Sequence, residues 1–360
     1  MKGGGVLVVG VEGTRLTAGE RKLLARIAPF AVILLPRNLD DAGTLRTLIA
    51  EIRAASPGSL LALDAEGGRV DRLRRIVAPA PAAATLGDCD PTFSRRAGRL
   101  VGASLRAFDF DLDFAPVVDL DHGLEGNALD RRCFGSTPRG VIARAKSFLD
   151  GLESAGVAGC VKHFPGLGGA PKDTHLEAAR IERDREVAIR DLVPFAALAE
   201  RAGAVMVGHA IYPELDPAER PATLSPPIAT ELLRKGLEFH GATFSDDLEM
   251  GALAKLGTLP ELAEASLQAG CDGLLFCRRL EEAPAIAKRL ERATNEPRLR
   301  QATKRLNDYK MRRKALREGK GPTFDLGKVS KSLAELTTKA EERAGRLPSR
   351  AGSSEAASPP

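Results

Sequence analysis

The chain has 360 residues, of which 43% are hydrophobic, so it can bury a large core, and α/β barrels commonly use a chain of this length as one domain. Its net charge of +5 comes from residues 310–360, which hold 12 Lys/Arg and 6 Asp/Glu, whereas the preceding residues hold 41 Lys/Arg and 42 Asp/Glu. Because the basic charge lies in this last stretch, and because the chain has no Trp and only two Tyr on which bases could stack, the composition argues against a nucleic-acid-binding protein.

Eight short apolar runs predict buried strands, because strands covered on both faces are continuously hydrophobic. In chain order they are residues 6–9, 31–35, 60–63, 114–118, 157–161, 204–207, 242–244 and 273–276. Helical patterns lie between them. Thr17 and Glu20 form a capping box ahead of the first helix. Further helices are predicted at residues 45–52, 91–108, 141–155, 183–202, 226–239, 260–269 and 281–293.

This alternation of strands and helices predicts parallel strands joined by right-handed crossovers. Eight repeats over about 290 residues fit an α/β protein built as a single (β/α)8 TIM-type barrel. An open doubly wound sheet is the alternative architecture. We assign residues 1–310 to the catalytic domain and residues 311–360 to a basic C-terminal extension, with a helix near 329–343 and a disordered end.

The cysteines and the first residues of the chain indicate the cellular compartment in which the protein is expected. The five cysteines are odd in number and scattered without a CxxC pair, which argues against a disulfide framework or a zinc knuckle. The apolar run at residues 6–9 is too short for a signal peptide or a membrane-spanning helix. We therefore expect a soluble cytoplasmic protein with reduced thiols and no membrane insertion.

Polar residues follow many of the predicted strands, where the active sites of barrels lie. They are Asp64, Asp119, Lys162, His163, His209 and Asp246. Residues 162–175 place two of the five histidines, a lysine and an aspartate in one Gly/Pro-rich loop after the fifth strand. Lys162 and His163 are expected at the strand end, with Asp173 and His175 further along a mobile connection.

The Lys-His-Phe-Pro-Gly run at residues 162–166 resembles the signature of glycoside hydrolase family 3. The Asp-Thr-His at residues 173–175 narrows the resemblance to its β-N-acetylhexosaminidase branch. The segment 241–250 is similar to the nucleophile segment of that family, which implies Asp246 as the nucleophile, with Asp247 as the local competitor. By the same resemblance His175 is the acid/base group, oriented by Asp173.

The resemblance also implies a set of sugar-binding residues. Asp64 is one, together with an arginine from the same segment, for which Arg72 fits better than Arg69. Taken alone, Glu66 and Arg69 form a possible local salt bridge. The motif at residues 127–135 makes Arg132 the next, with Arg131 as its neighbour. Lys162 and His163 complete the set, while Asp119 and His209 are expected to orient the lysine or to line the floor.

One position departs from the family pattern, because Leu167 stands where the hexosaminidase branch commonly has a second histidine. This change bears on the geometry of the loop more than on the chemistry. The absence of Trp and the two isolated Tyr favour a pocket for one terminal sugar over a surface that tracks a long polysaccharide. We therefore expect an exo-acting enzyme.

Together these residues predict a retaining exo-β-N-acetylglucosaminidase without cofactor or metal. The resemblance implies a small carbohydrate or muropeptide substrate in peptidoglycan recycling. Alternatives are an N-acetylglucosaminide phosphorylase or β-glucosidase of the same family, and a metal-dependent barrel hydrolase with His163, Asp173, His175 and Asp246 as ligands. The sequence does not specify the oligomeric state.

Overall fold

Strands and helices alternate along the chain in the order that the apolar runs predict. The computed structural model describes residues 2–124, 126–170, 179–293, 296–318 and 324–345. The strands are β1 (Leu7–Val9), β2 (Ala31–Ile33), β3 (Leu60–Leu63), β4 (Ala65–Gly67), β5 (Val70–Asp71), β6 (Leu112–Asp113), β7 (Ala158–Gly159), β8 (Val161–Phe164), β9 (Ala204–Val207), β10 (Ala242–Ser245) and β11 (Leu274–Phe276). The α-helices are α1 (Ala18–Ile27), α2 (Ala42–Ala55), α3 (Ala83–Gly87), α4 (Pro91–Ala107), α5 (Pro138–Ser154), α6 (Arg185–Ala202), α7 (Leu259–Ala269), α8 (Ala283–Ala293), α9 (Glu296–Arg317) and α10 (Leu326–Gly345).

The strands pair in parallel and in sequential order, apart from the small β4–β5 hairpin. One row runs β11–β1–β2–β3–β6–β7 and a second runs β10–β9–β8. Single bridges join the rows on both sides, Val117 with Lys162 and Phe244 with Gly273. The order thus returns to its start, as in the predicted TIM-type (β/α)8 fold, and shows no reversal of the kind that marks a doubly wound sheet.

An aromatic cluster in the barrel connects its strands to α9. The Phe244 ring lies 5.5 Å from that of Phe114 and 6.0 Å from that of Tyr309, which belongs to α9. The Tyr309 hydroxyl donates to the Gly159 carbonyl at 2.8 Å. Arg317 of α9 pairs with the buried Asp111 at 2.8 Å. The helix α9 therefore covers one end of the barrel, and the opposite end remains for a site.

The first helix begins as its sequence predicts. Thr17 Oγ1 accepts the Glu20 backbone N–H at 3.1 Å, and Glu20 Oε2 accepts the Thr17 backbone N–H at 2.8 Å. This reciprocal pair satisfies two of the backbone donors that an α-helix leaves free at its start. The start of α1 is thereby set by local sequence.

Two elements differ from the sequence prediction. The fourth strand pairs regularly at Leu112–Asp113, and only Val117 of the predicted run 114–118 makes a bridge. The two aspartates at this strand are fully buried and accept backbone hydrogen bonds from neighbouring strands, Asp111 from the Leu61 N–H of β3 and Asp113 from the Ala65 N–H of β4. The helix predicted at 226–239 is a π-helix at Pro227–Gly236, with a bond from the Leu237 N–H to the Leu232 carbonyl.

The last described helix packs onto the barrel. α10 buries four apolar side chains, Val329, Leu333, Leu336 and Ala340. Its Ser330 hydroxyl accepts the Ala78 N–H at 3.0 Å, and its Thr337 hydroxyl donates to the Pro79 carbonyl at 3.1 Å. The predicted boundary after residue 310 falls within α9. Among the described residues, no helix combines the length and the apolar character that a membrane span requires.

Candidate active site

A cavity of about 1070 Å³ opens at the carboxyl ends of the parallel strands. Six of the eight predicted site residues line it, namely Asp64, Arg72, Arg132, Lys162, His163 and Asp246. They come from four separate segments of the chain, which the fold brings together. The other two predicted residues, Asp173 and His175, lie outside the described residues.

A buried lysine lies at the centre of the polar wall of the cavity. Lys162 of β8 is 3% exposed, and its Nζ donates to Asp64 Oδ1 at 2.8 Å and to Glu66 Oε1 at 2.7 Å. Asp64 directly follows β3 and Glu66 lies two residues later, so both side chains leave the extended backbone on the same side. The two carboxylates thus fix the ammonium group from one direction.

Glu66 also binds the arginine of the 127–135 segment. Arg132 donates from Nε to Glu66 Oε2 and from Nη2 to Glu66 Oε1, both at 2.8 Å. This bidentate geometry holds a guanidinium plane and a carboxylate plane together. A third donor of Arg132, Nη1, reaches the Ala128 carbonyl at 2.9 Å. Glu66 therefore links Lys162 to Arg132.

The four charges of this cluster stabilise one another. Burial alone would raise the pKa of Glu66, but the adjacent charges of Arg132 and Lys162 hold it well below its usual range. Burial alone would likewise lower the pKa values of Lys162 and Arg132, and the facing carboxylates raise both instead. Asp64, Glu66, Lys162 and Arg132 are thus two anions and two cations in a largely buried wall, ready to exchange hydrogen bonds with hydroxyl groups.

His163 is oriented by an aspartate beneath it. Its Nδ1 lies 2.7 Å from Asp119 Oδ2, and the same oxygen accepts the His163 backbone N–H at 3.1 Å. Asp119 Oδ1 accepts the Leu167 N–H at 2.7 Å. With the Nδ1 proton assigned to the bond with Asp119, Nε2 is left as the acceptor that faces Arg132 Nη2 at 3.4 Å. Asp119 was expected to orient the lysine or to line the floor, and its hydrogen bonds instead orient the histidine.

The two aspartates after β10 differ in their electrostatics. Burial would raise the pKa of Asp246, but the nearby His209, His163 and Lys162 lower it below its ordinary value. Burial raises the pKa of Asp247 to about 6. The Asp246 Oδ1 also accepts the Asp247 backbone N–H at 2.8 Å. Asp246 is thus the carboxylate that stays ionised and fixed at the wall of the cavity.

His209 is buried and bonded within the protein rather than aimed at the cavity. It is 1% exposed, and its ring nitrogens lie 2.7 Å from Thr223 Oγ1 and 2.9 Å from the Asp247 carbonyl. Of the two functions proposed for this residue, support of the floor fits these contacts. It acts on the site through the backbone of Asp247.

The two arginines of the segment after β3, Arg69 and Arg72, differ in their hydrogen bonds. Arg69 donates to the Ala128 carbonyl at 2.6 Å, and its predicted local pair with Glu66 is wrong, because Glu66 binds Arg132 and Lys162. Arg72 lines the cavity, and its buried Nε has no hydrogen-bond partner among the described residues. A buried donor without a partner is a position that a ligand oxygen can satisfy.

Glu66 is the site residue that sequence reasoning missed. Its spacing from Asp64 was the available signal, because residues i and i+2 of an extended segment face the same side. Across the described part of the chain, no group of three or more His, Cys, Asp or Glu is arranged to hold a metal ion. The Arg132 guanidinium 3.4 Å from His163 Nε2 also disfavours a second cation there.

Comparisons with known proteins place the chain in a family. The model of the glycosyl hydrolase family 3 N-terminal domain matches residues 2–308. A β-hexosaminidase of Alkalilimnicola ehrlichii is 42% identical over 297 residues, which cover 79% of this chain and 84% of that protein. A β-hexosaminidase of Pseudomonas aeruginosa is 38% identical over 297 residues, 81% of this chain and 88% of that protein.

Two solved structures share the fold. A family 3 β-N-acetylglucosaminidase from Paenibacillus sp. superposes with a TM-score of 0.87 at 31% identity, covering 95% of this chain and 68% of that chain. NagZ from Neisseria gonorrhoeae, solved in complex with N-trifluoroacetyl-D-glucosamine, gives a TM-score of 0.75 at 30% identity. That match covers 93% of this chain and 98% of the other.

Proposed function

Since this chain belongs to glycosyl hydrolase family 3, we propose that it is a retaining, exo-acting β-N-acetylglucosaminidase. Its relatives make it a glycoside hydrolase of the β-hexosaminidase type. The proposed activity is supported by the convergence of an ionised aspartate with a buried, fully paired cluster of four charges in one cavity. We assign this activity to residues 1–310 and treat residues 311–360 as an extension.

In the first step, Asp246 attacks the anomeric carbon of a terminal N-acetylglucosamine. The bond from that carbon to the leaving oxygen breaks as a covalent glycosyl-enzyme forms, and the leaving oxygen takes a proton from His175. Asp173 would hold the imidazole and favour its protonated form by its opposite charge. The lowered pKa of Asp246 supports its role as the nucleophile, because a nucleophilic carboxylate must be ionised at the working pH.

In the second step, the neutral His175 takes a proton from water. The water oxygen attacks the anomeric carbon from the face that the leaving group vacated, the bond to Asp246 breaks, and the product keeps the β configuration. An imidazole in this role avoids placing a second carboxylate beside Asp246. Two such carboxylates repel each other, which raises the pKa of one of them.

The charged cluster suits the recognition of sugar hydroxyls. Asp64 accepts hydrogen bonds, whereas Lys162 and Arg132 donate them. The unpaired Nε of Arg72 adds another donor. Because these groups are already paired with one another and largely buried, they need little reordering when a sugar binds. His163 extends the same wall toward Asp246.

The cavity also has room beyond one sugar ring, which supports a bulky aglycone. Beyond the four-charge cluster and Asp246, its charged lining residues are five arginines and three carboxylates, namely Arg37, Arg69, Arg72, Arg278, Arg279, Glu12, Asp247 and Glu281. An excess of guanidinium groups favours a substrate that carries carboxylates. A muropeptide fragment released in peptidoglycan recycling has this chemistry. The five cysteines, all buried and free, are consistent with a reducing cytoplasm.

The experiment that tests this function is covalent trapping. Incubation with a 5-fluoro derivative of an N-acetylglucosaminyl fluoride should leave an adduct on the peptide that contains residues 245–247, detected by mass spectrometry. Asp246→Ala should lose the adduct and the turnover of 4-nitrophenyl N-acetyl-β-D-glucosaminide, whereas Asp247→Asn should keep the adduct. Near-normal turnover by Asp246→Ala would contradict the mechanism.

A further inference from the structure

One group of buried side chains holds the start of the segment that carries Asp173 and His175. The Gly166 carbonyl accepts hydrogen bonds from the Tyr212 hydroxyl at 3.0 Å and from Arg183 Nη1 at 3.3 Å. Burial raises the pKa of Tyr212, so its hydroxyl keeps its proton and remains a donor. Two donors therefore fix the backbone at residue 166. One of them, Tyr212, lies outside the segment that runs from residue 166 to residue 183.

The glycines of this stretch are packed closely on their other sides. Gly166 has φ +119°, and a Cβ there would come within 3.0 Å of the Asp191 side chain. A Cβ on Gly168 would lie 1.9 Å from the Leu120 carbonyl oxygen and 2.7 Å from the His122 ring. The chain at residues 166–168 thus lies directly against α6 and against the loop that follows the fourth strand.

Asp191 of α6 connects these contacts. Its side chain is 1% exposed, and Oδ1 pairs with His122 Nε2 at 2.9 Å. Its other oxygen forms an ion pair with Arg183, whose side chain is 4% exposed. The Arg183 guanidinium also lies over the Tyr212 ring, 4.8 Å from its centroid. One carboxylate therefore holds both the arginine and the histidine that contact residues 166–168.

The far end of the segment is fixed by the backbone. The Ile181 N–H donates to the Ile211 carbonyl, and the Ile211 N–H donates to the Ala179 carbonyl, both at 2.8 Å. Arg183 follows two residues later and reaches back to the Gly166 carbonyl. A single guanidinium thus joins the two ends, residues 166 and 183, between which Asp173 and His175 lie in the sequence.

We propose that Asp191 is a positioning residue for the acid/base step. By holding Arg183 and His122, it fixes both ends of the segment from which His175 exchanges its proton. The inference rests on the proposed function, because it takes His175 as the acid/base group. Binding of the sugar ring depends on a different group, the four-charge cluster around Lys162, which no contact of Asp191 includes.

The test is the dependence of the rate on the leaving group. Asp191→Asn keeps the shape of the side chain and removes the buried charge that faces Arg183 Nη1, while the weaker contact of Arg183 Nε with Glu214 at 3.3 Å remains. We would measure kcat/KM for aryl N-acetyl-β-D-glucosaminides from 2,4-dinitrophenyl to phenyl, because an acidic phenol leaves without help and a weakly acidic phenol needs a proton. The variant should lose less than about 3-fold with the first and about 10- to 100-fold with the second, since general acid catalysis and its positioning are worth factors of this order.

Two further variants separate positioning from a loss of structure. Glu153→Gln removes a buried charge that pairs with Arg201 near the end of α6 and with Arg312 of α9. It should leave the slope of log kcat/KM against phenol pKa unchanged. Tyr212→Phe deletes only the hydroxyl that donates to Gly166, and it should steepen the slope by a smaller amount.

The proposal is overturned if Asp191→Asn lowers kcat/KM for all substrates by one common factor. If that variant does not fold, an unchanged slope in Tyr212→Phe overturns it instead, and a steeper slope supports it. A wild-type protein that hydrolyses none of these substrates would refute the proposed function itself. Active wild type with an unaffected slope in both variants would refute the positioning role alone.

Discussion

Replacement of Glu66 by glutamine should be among the most destabilising changes in the cavity wall. Glu66 accepts three charge-assisted hydrogen bonds, two from Arg132 at 2.8 Å and one from Lys162 at 2.7 Å. Glutamine has the same shape but only one acceptor oxygen, and its amide nitrogen is a donor that must face a cation. The variant leaves Lys162 and Arg132 with two positive charges and one remaining carboxylate, Asp64.

The magnitude can be estimated in two ways. With its amide oxygen at the Oε1 position, glutamine keeps the bonds from Lys162 and Arg132 Nη2 and loses the bond from Arg132 Nε, and a hydrogen bond to a charged group is worth about 1.5–3 kcal/mol. Removal of one partner from a buried ion pair costs about 3–5 kcal/mol. The two estimates meet at about 3 kcal/mol in the free energy of unfolding, which for a chain of 360 residues lowers the apparent Tm by roughly 4 °C.

Thermal and urea unfolding at pH 7, followed by circular dichroism, would measure this change. Glu12→Gln is the matched control, because Glu12 is exposed at the rim of the same cavity, and it should change stability by less than about 0.5 kcal/mol. The pKa of Glu66 is depressed in the folded state, so its contribution is complete above the ordinary glutamate pKa of about 4.3 and decreases below it. A Glu66→Gln variant within about 1 kcal/mol of wild type at pH 7 would refute this reasoning.

Three other predictions concern separate parts of the molecule. Arg72→Ala should raise KM for the aryl substrate by about 10- to 100-fold, whereas Arg69→Ala should change it less than about 5-fold; equal effects in steady-state assays would contradict the assignment of the sugar contact. Burial raises the pKa of Asp71 to about 6, so its ionised form lowers stability only at higher pH. Asp71→Asn should therefore raise the free energy of unfolding by about 1–3 kcal/mol at pH 8 and change it little at pH 4, as measured in urea; a gain of equal size at both pH values would exclude this cause. Leu333→Ala should cost about 2–4 kcal/mol and speed amide hydrogen exchange across residues 326–345, and unchanged exchange there would contradict the packing of α10.

The strand order of the fold could be predicted from the sequence because most of its strands are continuous apolar runs. The fourth strand is the exception. Its residues 111 and 113 are aspartates, which a sequence reading treats as the end of a strand, and only the surrounding backbone donors and arginines make their burial acceptable. The π-helix was likewise outside what periodicity can show, because α- and π-helical patterns are hard to distinguish over ten residues.

The sequence predicted the site residues that lie in recognisable motifs and missed a residue whose contacts depend on the folded structure. Residues at strand ends, such as Lys162 and Asp246, line the cavity because the fold brings those ends together. For Glu66 the sequence offered only a possible local salt bridge with Arg69, whereas its partners lie 66 and 96 positions away and depend on tertiary structure alone. The roles of His175 and Asp173 stay predictions, which the trapping and leaving-group experiments address.

The docking of α10 has a consequence for the order in which the protein is completed. Ser330 lies 252 positions after Ala78, whose N–H it accepts, so a ribosome synthesises the whole barrel before it delivers this partner. Until the last helix emerges, the Ala78 and Pro79 backbone groups have only water as hydrogen-bond partners in place of α10. Residues 73–77 connect these two residues to Arg72, which lines the cavity. A nascent chain, or one trimmed by a protease before residue 326, would therefore have its strands in place while one side of its sugar pocket still lacked its outer support.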